Sequence, residues 1–205
     1  MSEKTISTEA ELKAYLKKNL SEKRYNHTLG VAQTAQLVLE HYSCKSADET
    51  FLGMKCGIFC GLIHDIAREF SNDRLCSYCE QHGYEPEPDQ KVFPVLLHGY
   101  VSAQEAVSLM GDYPVSWYKA VCLHTVGSDN MDEVALALFI ADFIEPSRSF
   151  MTDEKREFYL KQSTIEGCAF AVLSDMMKHW NTKPGFKNAA ASLRMADDLK
   201  KRTGM

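Results

Sequence analysis

Residues 51–68, FLGMKCGIFCGLIHDIAR, decide how this chain is read. The run is apolar for most of its length, yet it ends on an imidazole and a carboxylate, His64 and Asp65. Ser46-x-x-Glu49 just ahead of it has the form of a capping box, so the pattern predicts a largely buried helix. Within that helix Cys56 and Cys60 stand one turn apart beside Gly57 and Gly61, a spacing that fits close helix packing. A carboxylate following Ile58, Phe59, Leu62 and Ile63 is costly to bury without a partner. Either Asp65 is solvated at an exposed helix end, or a metal compensates its charge.

Outward from this stretch the chain reads as helix in both directions. Thr8-x-x-Glu11 opens an amphipathic run to Leu20, and Ser21 caps a second helix that reaches about Tyr42. Ser71 begins a shorter helix ending at Gly83, followed by the loop YEPEPDQ. Further helical stretches are predicted at about 100–110, 114–124, 132–144, 153–180 and 187–201. Sustained period-two alternation bounded by hairpin turns is missing, so no strand is predicted. The expectation is an all-α bundle forming a single domain over residues 1–205, with a core at about 20–150 and C-terminal helices at about 151–205 as an appendage.

Composition narrows the function. With 45% hydrophobic and 25% charged residues in 205, the chain has the make-up of an ordinary globular protein. No apolar run approaches the roughly 18–20 residues needed to span a bilayer. The polar N-terminus has no apolar signal region, so a cytoplasmic address and no membrane partner are expected. Seven cysteines, an odd number, are read as reduced thiols. Cys76-x-x-Cys79 lacks both the βαβ setting of a redox motif and a second pair of zinc ligands. A net charge of −5 speaks against a broad basic surface, hence against DNA or RNA as partner, while leaving room for a small phosphorylated ligand in a locally positive site.

Other segments repeat the His64-Asp65 pattern. His27 lies three residues after Arg24, on the same helix face. His98 follows the apolar run FPVLL and precedes Gly99, while His124 ends SWYKAVCL and is followed by Thr125 and Gly127. Asp142 sits inside VALALFIADFIEP, where it caps, pairs with a basic side chain or binds a metal. His41, His82 and His179 lie in polar surroundings and are expected to be exposed. Buried imidazoles and carboxylates in such number need partners, and one another plus metal is the economical solution.

The strings RYNHTLGV at 24–31, GLIHDIAR at 61–68, LLHGYVSA at 96–103, LHTVG at 123–127 and IADFIEPSR at 140–148 occur in the order found in the HD-domain metal-dependent phosphohydrolases. Together they make the chain resemble the YqeK-type subfamily, the symmetrical bis(5′-nucleosyl)-tetraphosphatases. That resemblance implies that His27, His64, Asp65 and Asp142 bind one metal ion, that His98 and His124 bind a second, and that Asp65 bridges them. Asp65 with a metal-bound water would then be the catalytic unit, cleaving diadenosine tetraphosphate into two ADP. The two divalent or mixed-valence ions would be iron, with manganese, cobalt or zinc as alternatives. Arg24, Arg68, Gly99, Thr125, Gly127 and Arg148 are the candidate substrate contacts, guanidinium groups being suited to phosphate. Glu145 is either a partner behind the ligands or a pair for Arg148. Other readings stay open: another nucleotide or phosphomonoester as substrate, a di-iron oxygenase, or a non-catalytic nucleotide sensor. A homodimer is also left open. Two departures from the family stand out: Arg68 where lysine is frequent, and a loosely matching segment from about 150 onward that includes KPGFKNAAAS.

Overall fold

A computed structural model describes residues 5–182 and 188–204. The start of the KPGFKNAAAS segment, residues 183–187, lies outside the described residues. The chain folds into helices α1 (Glu9–Asn19), α2 (Glu22–His41), α3 (Cys56–Ile63), α4 (Asn72–Gln81), α5 (Pro88–Val92), α6 (His98–Met110), α7 (Val115–Leu123), α8 (Glu133–Ile144), α9 (Asp153–Leu160), α10 (Ile165–Asn181) and α11 (Ala190–Thr203). The all-α expectation is met. Thr8, Ser21 and Ser71 start their helices as read, each accepting a bond from a backbone N–H in the first turn, and Asp132 and Thr164, which the sequence reading did not single out, do the same for α8 and α10.

The α2–α3 seam builds the site. A Cβ added to Gly61 would come within 2.3 Å of the Ala32 Cα, and one on Gly57 within 2.3 Å of the Gln36 amide nitrogen. Glycine is therefore required for these two backbones to approach so closely. Gln36 crosses the seam as well: its carbonyl accepts from the Gly57 N–H at 3.1 Å and its amide donates to the Ala47 carbonyl. That bond satisfies one of the N–H groups left unpaired at the start of α3.

Four local expectations are corrected. Ser46 does not open α3; its hydroxyl and amide both donate to Glu133, and it lies in a 3-10 turn at Lys45–Asp48. Between that turn and α3 the chain forms a two-residue antiparallel hairpin, β1 (Thr50–Phe51) and β2 (Met54–Lys55). Leu52 and Gly53 both take positive φ there, the geometry a two-residue hairpin needs. The loop YEPEPDQ contains α5, which starts at Pro88 under a Glu87/Gln90 capping box. The stretch at 153–180 is two helices, because Thr164 caps α10 afresh after α9 ends.

The C-terminal helices are appended in sequence but share the core. Val172, Leu173, Met195 and Leu199 are fully buried in the same hydrophobic cluster as Leu12, Val38, Phe59 and Ile140. A second, smaller cluster around Leu75, Cys79 and Val101 takes up part of the CxxC segment, and the seven cysteines are free thiols. No helix of the described residues is long and apolar enough to cross a membrane.

Candidate metal centre

Three of the four central histidines stand where a helix or 3-10 turn hands over to the next segment. His64 follows α3, His124 follows α7, and His98 follows the 3-10 turn Pro94–Leu97 and opens α6. The last carbonyls of such turns lack partners inside them. Nδ1 of His64, His98 and His124 donates to the carbonyl three residues earlier, on Gly61, Val95 and Val121, at 2.7, 2.5 and 2.8 Å, the Val95 carbonyl also accepting from the His98 backbone N–H. With the proton on Nδ1, the lone pair on Nε2 is left facing the centre.

His27 sits inside α2, where the preceding carbonyls are already engaged in the helix. Its Nδ1 donates instead to Oε1 of Glu145 at 2.9 Å, across 118 residues of sequence. Glu145 is wholly buried and also accepts from the Ser147 hydroxyl and amide, both at 2.6 Å. Gly30, one turn after His27, makes the room; a Cβ there would lie 2.5 Å from Glu145 Oε2.

The inward-facing atoms converge around one carboxylate. Oδ2 of Asp65 lies 3.7 Å from His27 Nε2 and 3.4 Å from His64 Nε2, while Oδ1 lies 3.2 Å from His98 Nε2 and 3.8 Å from His124 Nε2. Oδ1 of Asp142 is 3.0 Å from His27 Nε2 and 3.8 Å from His64 Nε2. Thr125 Oγ1 stands 3.3 Å from His98 Nε2 and 3.4 Å from His124 Nε2. Two groups of buried donors are spaced to hold an ion: His27, His64 and Asp65, and Asp65, His98 and His124. The Nε2 atoms of His27 and His64 are buried and make no hydrogen bond, the Asp142 oxygen being near His27 but out of line. Orphaned imidazole nitrogens beside carboxylate oxygens fit a divalent transition metal.

Two arginines brace the carboxylates. Arg24 Nη1 donates to Asp65 Oδ2 at 2.6 Å, and Arg148 Nη2 donates to Asp142 Oδ1 at 2.5 Å while its Nε donates to the Asp142 carbonyl. Burial opposes the charge on both acids, and their neighbours outweigh it. His64 and His98 hold Asp65 well below the usual carboxylate range, and His27 and Arg148 do the same for Asp142. Burial would also lower His27, but the neighbouring carboxylates of Asp142 and Glu145 prevail and raise it. Burial, with His98 and His64 alongside, pushes His124 down to about 3.

Two cavities open on the centre. One, of about 520 Å³, is reached from His27, Arg24 and Arg148; the other, of about 430 Å³, from His124, Asp142 and Arg148. Of the remaining candidate contacts, the structure puts three elsewhere. Gly99 is a packing glycine, since a Cβ there would meet the Cys122 carbonyl at 2.8 Å. Gly127, at φ +72°, makes room for Met195 of α11. Arg68 lines neither cavity: α3 ends at Ile63 and the chain continues in turns, so Arg68 does not stack one helical turn beyond His64. Sequence reasoning missed Gly30 as the cradle of Glu145, and it set aside His179, which is exposed but lines the second cavity with Phe150 and Trp180.

Comparison with known proteins agrees with this geometry. No family model matches the chain. It is 29% identical over 168 residues to the symmetrical bis(5′-nucleosyl)-tetraphosphatase of Staphylococcus aureus, covering 78% of each chain. The Bacillus subtilis protein of the same name is 27% identical over 172 residues, 81% of this chain and 87% of its own. A crystal structure of a predicted HD superfamily hydrolase involved in NAD metabolism, from Clostridium acetobutylicum, superposes with a TM-score of 0.82 at 28% identity, over 94% of this chain and 97% of that one. A helical bundle carrying His27, the His64-Asp65 pair and Asp142 at its centre is an HD-domain hydrolase. Within that class the chain is similar to the symmetrical bis(5′-nucleosyl)-tetraphosphatases of Staphylococcus aureus and Bacillus subtilis, the YqeK-type family that its motifs resemble.

Proposed function

We propose that this protein hydrolyses dinucleoside polyphosphates, cutting diadenosine tetraphosphate at its centre into two ADP. The observation that carries the reading is the placement of Asp65, whose two oxygens each face a separate pair of imidazoles, His27 of one pair lining one cavity and His124 of the other pair lining the second. A two-ended polyphosphate fits that arrangement, with its middle at the centre and one half in each cavity. His27, His64, Asp65 and Asp142 would hold one ion, and Asp65, His98 and His124 a second; the mixed imidazole and carboxylate donors suit iron, manganese, cobalt or zinc, and the family resemblance favours iron. When bound, such ions supply Lewis acidity toward phosphoryl oxygens and toward a water molecule.

The chain's own groups do the rest. Asp65, held ionised, would offer an oxygen to each ion and does not store a proton near neutral pH. Glu145 fixes the ring of His27, and backbone carbonyls fix the other three imidazoles. Arg24 and Arg148 each keep guanidinium donors beyond those spent on Asp65 and Asp142, and these face the cavities as phosphate contacts. In the net reaction the oxygen of water joins one central phosphorus and the bridging P–O bond breaks. The protons of that water pass to solvent or stay on the ADP products, according to pH. Seven free thiols fit a reducing, cytoplasmic setting.

The test is product identification. Protein loaded with ferrous iron, manganese, cobalt or zinc and kept without oxygen should convert diadenosine tetraphosphate to ADP alone on chromatography. Formation of AMP plus ATP, or no turnover with any of the four metals, would overturn the reading.

A further inference from the structure

The two cavities at the metal centre differ in kind. The one reached from His27 is lined by Ser21, Lys23, Arg24, Asn26, Ser147 and Ser149, hydroxyl, amide and cationic groups suited to phosphate oxygens. Its carboxylates are already engaged, Glu69 by Ser21 and Glu145 by His27 and Ser147. The one reached from His124 is walled by Phe143, Phe150, Met176 and Trp180. Phe150 is a large aromatic left 49% exposed where it stands between the two openings and lines both, while Phe143, Met176 and Trp180 line this one and not the polar one. Trp180 also lines a third cavity, of about 230 Å³, beside Phe93 and Val126. Away from the metal centre its polar lining is Lys155, His179 and Asp175; Asp175 accepts from the Tyr159 hydroxyl at 2.7 Å and from Lys178 at 3.3 Å, and keeps acceptor capacity for ribose hydroxyls or an exocyclic amine.

We infer that the aromatic cavity between α8 and α10 binds one nucleoside of the substrate, its base against Trp180 and Phe150, while the polar cavity holds the phosphates beyond the cut. This rests on the dinucleoside polyphosphate reading above. At about 430 Å³ the cavity falls in the range of small-molecule sites, and flat aromatic walls suit a base through its π-face. Recognition is thus unequal at the two ends of a symmetrical molecule, and α10, from the segment that matches the family loosely, supplies part of it.

The chain has two tryptophans. Trp117 is fully buried against Phe59 and lines neither cavity, so an emission change on binding reports Trp180. ADP should quench the emission of the full-length protein, and inorganic pyrophosphate, the same phosphates without a base, should not. Trp180→Phe should abolish the response. Trp180→Ala should raise KM for diadenosine tetraphosphate about tenfold, with a smaller change in kcat. Phe143→Ala, in the wall of this cavity and not of the polar one, gives the same KM measurement if Trp180→Ala does not fold. Quenching by ADP without hydrolysis of the tetraphosphate would leave the nucleoside site standing and remove the substrate reading. Hydrolysis with an unmoved KM and no ADP response, or equal quenching by pyrophosphate, would overturn the site.

Discussion

The two sides of the centre orient their imidazoles by different means. On the His98/His124 side both Nδ1 atoms donate to backbone carbonyls three residues back, Val95 and Val121. On the His27/His64 side, His64 does the same with Gly61, but His27 relies on the buried carboxylate of Glu145. The His27 side also has Asp142, braced by Arg148, in addition to its share of Asp65. One side is therefore backed by neutral carbonyls and the other by negative charge. A carboxylate behind an imidazole raises its basicity as a ligand, so the His27 side should hold a divalent ion more tightly.

Asp65 is the element common to both sides, and removing it should have the largest effect. Asp65→Ala should lower turnover by about a thousandfold or more and abolish both bound metal equivalents, measured by steady-state assay and elemental analysis. Retention of one full equivalent would show that the two sides do not share this carboxylate.

Glu145→Gln acts on one side only. Its amide carbonyl can still accept from His27 but carries no charge, so one metal equivalent should weaken about 10- to 100-fold while the other keeps its affinity. A two-site metal titration reads this directly, and equal weakening at both sites would erase the contrast.

A smaller effect is the pH dependence of the chelator-treated protein, where the two sides carry opposite signs. His27 binds its proton more tightly folded than unfolded, so its contribution is full below its ordinary value of 6.5 and lost as the pH rises through the raised one. His124, pushed down to about 3, contributes fully above 6.5 and loses that contribution as the pH falls below it. Melting temperatures followed between about pH 5 and 8 should lose the high-pH decline in His27→Gln and the low-pH decline in His124→Gln. Parallel curves for the two variants would contradict the opposed shifts.

Much of this was legible because it is local. Side-chain caps at Thr8, Ser21 and Ser71, the Gly57/Gly61 pair and the apolar run into His64-Asp65 act over three or four residues, the range over which helical periodicity carries information. The hairpin at residues 50–55 was hidden because its turn is Leu-Gly, without the asparagine or aspartate that usually announces such a turn. The break between α9 and α10 was hidden by apolar periodicity that continues on both sides of Thr164. Gly99 and Gly127 look like site glycines because they neighbour His98 and Thr125, yet what each accommodates comes from α7 and α11.

The sequence by itself determined the helical class and singled out the imidazoles and carboxylates that interrupt its apolar helices. Those depend on the short-range pattern that each segment carries with it. Only the tertiary structure decided that Asp65 turns one oxygen to each pair of histidines, that Glu145 reaches His27 through the space left at Gly30, and that α10 walls one of two unlike cavities. These pairings join residues up to 118 positions apart, and they exist only where helix packing brings the side chains within bonding distance.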